Sequence, residues 1–170
     1  MTLLRQGYAG QAPLHRGCSE GLSSVAPKAR RGMIATGVPL RDLHLAWPEL
    51  WPLLEPAVRR TPDKPDVLAR LIARDAQLWA VYDDGKAIAA IVTQLASDPD
   101  GKRCRLWLIG GSCVSEWASD FLCKLELWAR SLGCVALWGS GREGWDRIVK
   151  RMGGNRIGTI AGFPAWERRL

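Results

Sequence analysis

One segment limits the possible folds of this chain more than any other. Residues 117 to 138 hold an apolar stripe of Trp117, Phe121, Leu125, Trp128 and Leu132, with steps of four, four, three and four. That spacing is one face of an α-helix. Ala118, Leu122 and Ala129 widen the face, and Asp120 and Lys124 suit an i,i+4 pair on the wet side. Ser115, or a residue just before it, is placed to cap the helix, which runs to about Leu132. Gly133 then stops it. CVALW (Cys134–Trp138) follows at once and reads as a short buried strand. An apolar strand also precedes the helix, at Lys102–Ile109 (KRCRLWLI). A strand, a helix and a strand in this order close by a right-handed crossover, which makes the two strands parallel.

Upstream, the chain reads as an antiparallel meander. Gln77–Tyr82 (QLWAVY) and Lys86–Ala96 (KAIAAIVTQLA) are strands joined by the hairpin turn Asp83-Asp84-Gly85. The second is apolar enough to be buried on both faces. Asp98-Pro99-Asp100-Gly101 turns the chain into Lys102–Ile109. Two short helices precede the meander. In Trp47–Arg60, Trp47, Trp51, Leu54 and Val58 share a face. Pro48 suits a first turn, and Pro52 and Pro56 are expected to kink the helix or delay its start. The second helix spans about Pro65 to Arg74. After the crossover come a loop (Gly139–Gly144), a helix (Trp145–Met152) stopped by Gly153-Gly154, and a last strand or hairpin over Arg156–Ile160 and Phe163–Arg168.

Charge is unevenly placed. The 170 residues carry a net +7, of which +4 lies in residues 1–32. That segment is rich in Gly, Ser, Pro and Ala, without helical or strand period, and reads as a flexible, disordered basic tail. Such a segment could be a nucleic-acid or membrane-surface arm, but a tail without a partner, or an over-extended gene start, is the preferred reading. Residues 33–170 then form one domain. Their +3 is too small to suggest nucleic-acid binding.

Composition removes other classes. The longest apolar run is Ala87–Val92, far short of the roughly 20 residues of a membrane span. No secretory signal is expected. Five cysteines without a Cys-x-x-Cys pair suggest free thiols in a reducing cytoplasm. Two histidines, His15 and His44, leave no spacing for a zinc site. A hydrolase would have to rest on His44 and is set aside. Nine tryptophans could stack on bases. Most fall inside strands or the helical stripe, where core packing accounts for them.

The order of elements over about residues 38–168, and above all ELWARSLGCVALW followed by GREGWDRIVKRMGG, resembles the GNAT superfamily of acyl-CoA-dependent N-acyltransferases. It resembles in particular divergent members encoded by phages and prophages. The resemblance implies an α/β (α+β) fold with a mixed central sheet and helices on both faces. It implies transfer of an acetyl group from acetyl-CoA or another acyl-CoA to an amine acceptor, without a metal. By position, Ile109, Gly110, Gly111, Ser112, Cys113, Val114 and Ser115 would hold the pyrophosphate at the start of the central helix. Arg142 could contact a cofactor phosphate, or be a solvent-facing arginine at a helix start.

The chain also departs from the family pattern. Ser115, Glu116 and Trp117 stand where the family's glycines fall, and Glu116 would repel a diphosphate. Val149 stands where many members have a proton-donating tyrosine. Tyr82 and Cys134 are the remaining proton-transfer candidates on strands, with core packing as the competing account. These departures keep an alternative open: a non-catalytic GNAT-fold protein of phage or prophage origin, acting as a structural or protein-interaction module. Residence in the cytoplasm, or on the virion if phage-derived, and a homodimer through edge strands are expected.

Overall fold

The computed structural model describes residues 33–61 and 64–170. The basic segment 1–32 lies outside the described residues. The strands are β1 (Ile34–Gly37), β2 (Gln77–Asp83), β3 (Lys86–Asp98), β4 (Gly101–Gly111), β5 (Cys134–Ser140), β6 (Asn155–Ile160) and β7 (Phe163–Arg169). The helices are α1 (Leu43–Val58), α2 (Val67–Ile72), α3 (Val114–Ser131) and α4 (Asp146–Arg151). The strands form one sheet in the order β1-β2-β3-β4-β5-β7-β6. Every neighbouring pair is antiparallel except β4 and β5, which are parallel as the crossover requires.

Alternation along the central strands builds two cores. Leu78 and Ala80 of β2, with Ala90 and Val92 of β3, pack against α1 and α2 on one face. Trp79, Val81, Ala89 and Ile91 pack against α3 on the other. Residues 89 to 93 are fully buried, as the apolar run on β3 predicts. Trp79 is the centre of the α3 side. It meets Phe121 and Trp128 edge-on, with centroids at 5.8 and 5.1 Å, and its indole Nε1 donates to Thr93 Oγ1 at 3.0 Å.

Several expectations need correction. The stretch before the meander also contains a strand. β1 pairs with Trp79–Tyr82, and four residues with only Ala35 buried are too few to show a period. Lys124 Nζ donates to Ala35 O at 2.6 Å, so this lysine ties α3 to β1 and is not a surface-pair residue. α1 runs unbroken through Pro48, Pro52 and Pro56. Their spacing of four puts all three on the exposed face, where the carbonyls they leave unbonded face water. The buried face is Leu43, Leu50, Leu54 and Val58, while Trp47 and Trp51 stack at 5.1 Å beside it. α3 is capped by Cys113, two residues before Ser115, in a left-handed conformation (φ 55°) without a side-chain cap bond. Finally, β5 continues through Gly139 and Ser140, which pair with Trp166 and Ala165 of β7, so the loop begins at Gly141.

Candidate functional site: a gap between two parallel strands

β4 and β5 pair from Lys102/Cys134 to Leu106/Gly139 and no further. Beyond that point β4 continues beside β3 alone, as far as Ala89/Gly111. β5 ends at Ser140, paired with Ala165 of β7. The two parallel strands therefore splay apart. One backbone edge of β4, from Trp107 to Ile109, faces the gap without a strand partner.

A cavity of about 520 Å³ fills the gap. Ala57 of α1 and Arg60, two residues past its end, line it from one face of the sheet, and Leu122 of α3 and Val149 of α4 from the other. It therefore passes through the sheet. A second cavity of about 600 Å³ adjoins it at the open end of the gap, bounded by Gly110, Gly111 and Val114. Both are lined by Ala57, Arg60, Ile109, Arg142 and Trp145. The loop that carries Arg142 and Trp145 is held by its neighbour Asp146, whose Oδ1 accepts from Trp166 Nε1 at 2.7 Å. Neither nearby tryptophan closes the gap. Trp117 is buried against Phe121 and donates from Nε1 to Ser112 O at 2.7 Å. Trp145 stands along the wall, close to Gly141.

The residues expected at the pyrophosphate site separate into two groups. Ile109, Gly110, Gly111, Val114 and Arg142 line the cavities. Ser112, Cys113 and Ser115 are exposed and line neither. The glycine pair also has a packing role that spacing alone does not reveal. A Cβ at Gly110 would stand 1.9 Å from Leu53 O of α1. Gly111 has φ +114°, and a Cβ there would stand 2.3 Å from Ile88 O. These glycines let α1 and β3 approach the end of β4. Just beyond them, Ser112 N donates to Ile88 O and Glu116 N to Cys113 O. The first-turn amides of Val114 and Ser115 have no helical acceptor. Glu116 sits half-buried in that turn.

Tyr82 and Cys134 are placed away from the gap. Tyr82 packs on the α1–α2 side, where burial first and then Glu49 push its pKa up. Cys134 is buried at the closed end of the β4–β5 pair, opposite Lys102. Burial raises its pKa, and Lys102 works against that. Neither lines a cavity. Val149 does line the gap, and its isopropyl group has no proton to give.

Sequence reasoning missed the other ionisable groups in the wall: Arg60, Arg105, Glu167 and Arg168. Glu167 accepts from Arg103 at 3.2 Å and from Arg169 at 3.0 Å. Arg103 is held charged above its usual pKa, chiefly by its hydrogen bond to Glu167. Arg168 pairs with Glu126 at 2.8 Å and also donates to Met152 O. No pattern marks these residues in advance, because they come from three separate stretches of the chain: the turn after α1, β4 and β7.

No family model matches the chain, and no curated protein does. Solved structures do match. An agmatine N-acetyltransferase in its apo form is 10% identical, with a TM-score of 0.61 over 81% of this chain and all of that one. A GNAT family acetyltransferase from Elizabethkingia anophelis with acetyl-CoA bound is 11% identical, with a TM-score of 0.60 over 83% of this chain and all of that one. The fold is that of the GNAT acetyltransferases. The PaiA N-acetyltransferase from Thermoplasma acidophilum, in complex with coenzyme A, is 12% identical, with a TM-score of 0.56 over 82% and 99%. At these identities the likeness is one of GNAT fold, and the site must carry the argument for activity.

Proposed function

We propose that this protein is an acyl-CoA-dependent N-acyltransferase that moves an acetyl group from acetyl-CoA to an amine. The observation that carries the reading is the splay of β4 from β5 beyond Leu106/Gly139, opening into a cavity that crosses the sheet.

The residues present fit such a cofactor. The unpaired edge of β4 at Trp107–Ile109 offers N–H and C=O groups along the gap, which suits an arm that carries amides of its own. At the open end, the amide of Val114 and the guanidinium of Arg142 favour phosphates. Glu116 in the same turn works against them, so Arg142 supplies the charge compensation. Acetyl-CoA, when bound, supplies an acyl carbonyl activated as a thioester.

The protein's own contribution is positioning. The gap brings an acceptor entering from the α1 face to the same channel that the α3 face lines, which replaces a bimolecular encounter by a held one. The unpaired N–H groups of the β4 edge are donors of the kind that stabilise a developing oxyanion. Apolar walls at Leu106, Leu108, Leu122 and Leu137 keep water out. With Val149 in the wall, the leaving sulfur takes its proton from the acceptor amine or from water.

A non-catalytic, protein-binding module would be favoured by a filled gap, and Trp117 and Trp145 leave it open. The edge strand β6, exposed along all its residues, supports the expected homodimer. Incubating the full chain with acetyl-CoA and a mixture of primary amines tests the activity. Mass spectrometry should find N-acetylated products, and their absence alongside unconsumed acetyl-CoA would overturn the reading.

A further inference from the structure

The charge around the gap selects an acceptor, an inference that rests on the acyltransferase reading. Five ionisable side chains line the cavity in the gap: Arg60, Arg105, Arg142, Arg168 and Glu167. The one carboxylate is already engaged by Arg103 and Arg169. Arg168 is engaged by Glu126. Arg60 and Arg142 are exposed, border both cavities, and have no ion pair among the described residues. They sit on different walls, at the end of α1 and in the loop after β5. The same cavity has apolar wall at Leu106, Ile160 and Phe163.

A di- or polycationic amine would meet arginines here and no available carboxylate, and like charges brought together are costly. An amine that also carries an anionic group meets the opposite situation. We propose that the acceptor is an amino acid with an apolar side chain, whose carboxylate is received by Arg60. The apolar wall takes the side chain.

The same charge helps the chemistry. A cationic surrounding disfavours the ammonium form of the acceptor and so lowers its pKa. The neutral amine is then available without a side-chain base. Its nitrogen forms the C–N bond to the acyl carbon as the C–S bond breaks. The departing sulfur and solvent receive the two protons that the ammonium gives up.

The test uses the full chain and acetyl-CoA, following thiol release with L-leucine, L-phenylalanine, their carboxamides, and agmatine. The amino acids should turn over, and kcat/KM for each should exceed that of its carboxamide by about tenfold or more. Agmatine should be the poorest acceptor. Arg60→Gln should bring the acid-to-amide ratio close to one. Agmatine preferred over leucine would overturn the proposal. So would an Arg60→Gln variant that weakens acetyl-CoA binding while the acid-to-amide ratio stays put, because Arg60 would then serve the cofactor. Calorimetric binding of acetyl-CoA in the same samples separates the two failures: binding without acylation of any amino acid sinks the acceptor proposal alone, and no binding sinks the acyltransferase reading itself.

Discussion

Gly110 and Leu53 meet backbone to backbone, so that a Cβ on Gly110 would stand 1.9 Å from the Leu53 carbonyl oxygen. That contact seats α1 on the end of β4, beside the gap. Two backbone segments cannot move apart cheaply inside a packed domain. Gly110→Ala is therefore expected to cost about 3 kcal/mol or more of stability. Gly133→Ala is the comparison: at φ +77° with nothing within 4 Å, it should cost only about 1 kcal/mol. Urea unfolding midpoints of the two variants check this. Equal losses would contradict the packing role of Gly110.

Thr93 is the one buried polar residue among the described residues. It accepts from Trp79 Nε1 at 3.0 Å in the α3-side core. Thr93→Val keeps the shape and leaves the indole N–H buried without an acceptor. The expected loss is about 1–3 kcal/mol, read from the same unfolding curves. A neutral substitution would show that the bond contributes nothing net.

The part of this fold that could be read from the sequence was the part with a period. The α3 stripe, Gly133 and the strand at Cys134 specified the crossover, and the alternation in β2 and β3 specified two cores. β1 was not legible, because one buried residue in four makes no pattern. The three prolines misled about α1, since proline is judged by the bond it removes and not by the face it occupies. At the site, Ile109 and Val114, expected from the position of the helix start, and Arg142, expected from the loop after β5, line the cavities. The packing role of the glycines was not legible, because the approach of α1 is a tertiary fact. Arg60, Arg105, Glu167 and Arg168 come together only when the turn after α1, β4 and β7 assemble, and no local spacing encodes that.

Cys104 gives the stability a specific dependence on alkaline pH. It is fully buried, and its thiol is pushed from 9.0 up to about 12, first by burial and then by Cys134, against a hydrogen bond with Thr93. The folded-state value lies above the unfolded one. Below about pH 9 both states keep the proton, and the contribution is fully present. As pH rises from about 9 towards 12, the unfolded thiol ionises first and stability is lost, by about 1.4 kcal/mol per unit at the steepest. Cys104→Ala should fall less steeply than wild type between about pH 8 and about pH 10. Parallel curves would show that Cys104 does not titrate in this way.

Ser140 stands half-buried in the wall of the gap, paired with Ala165 at the end of β5. Ser140→Trp should fill part of the 520 Å³ cavity while leaving both cores untouched. Affinity for acetyl-CoA should fall by about tenfold or more, with the melting temperature little changed. Undiminished binding by a folded variant would place the cofactor somewhere other than the β4–β5 gap.

The most direct measurement is calorimetric titration of the full chain with acetyl-CoA, with coenzyme A alongside. The splayed strands, the cationic rim and the free amides of α3 together call for one saturable site per chain with micromolar affinity. Absence of binding at millimolar acetyl-CoA would contradict the account, and would leave a GNAT fold whose gap serves some other ligand.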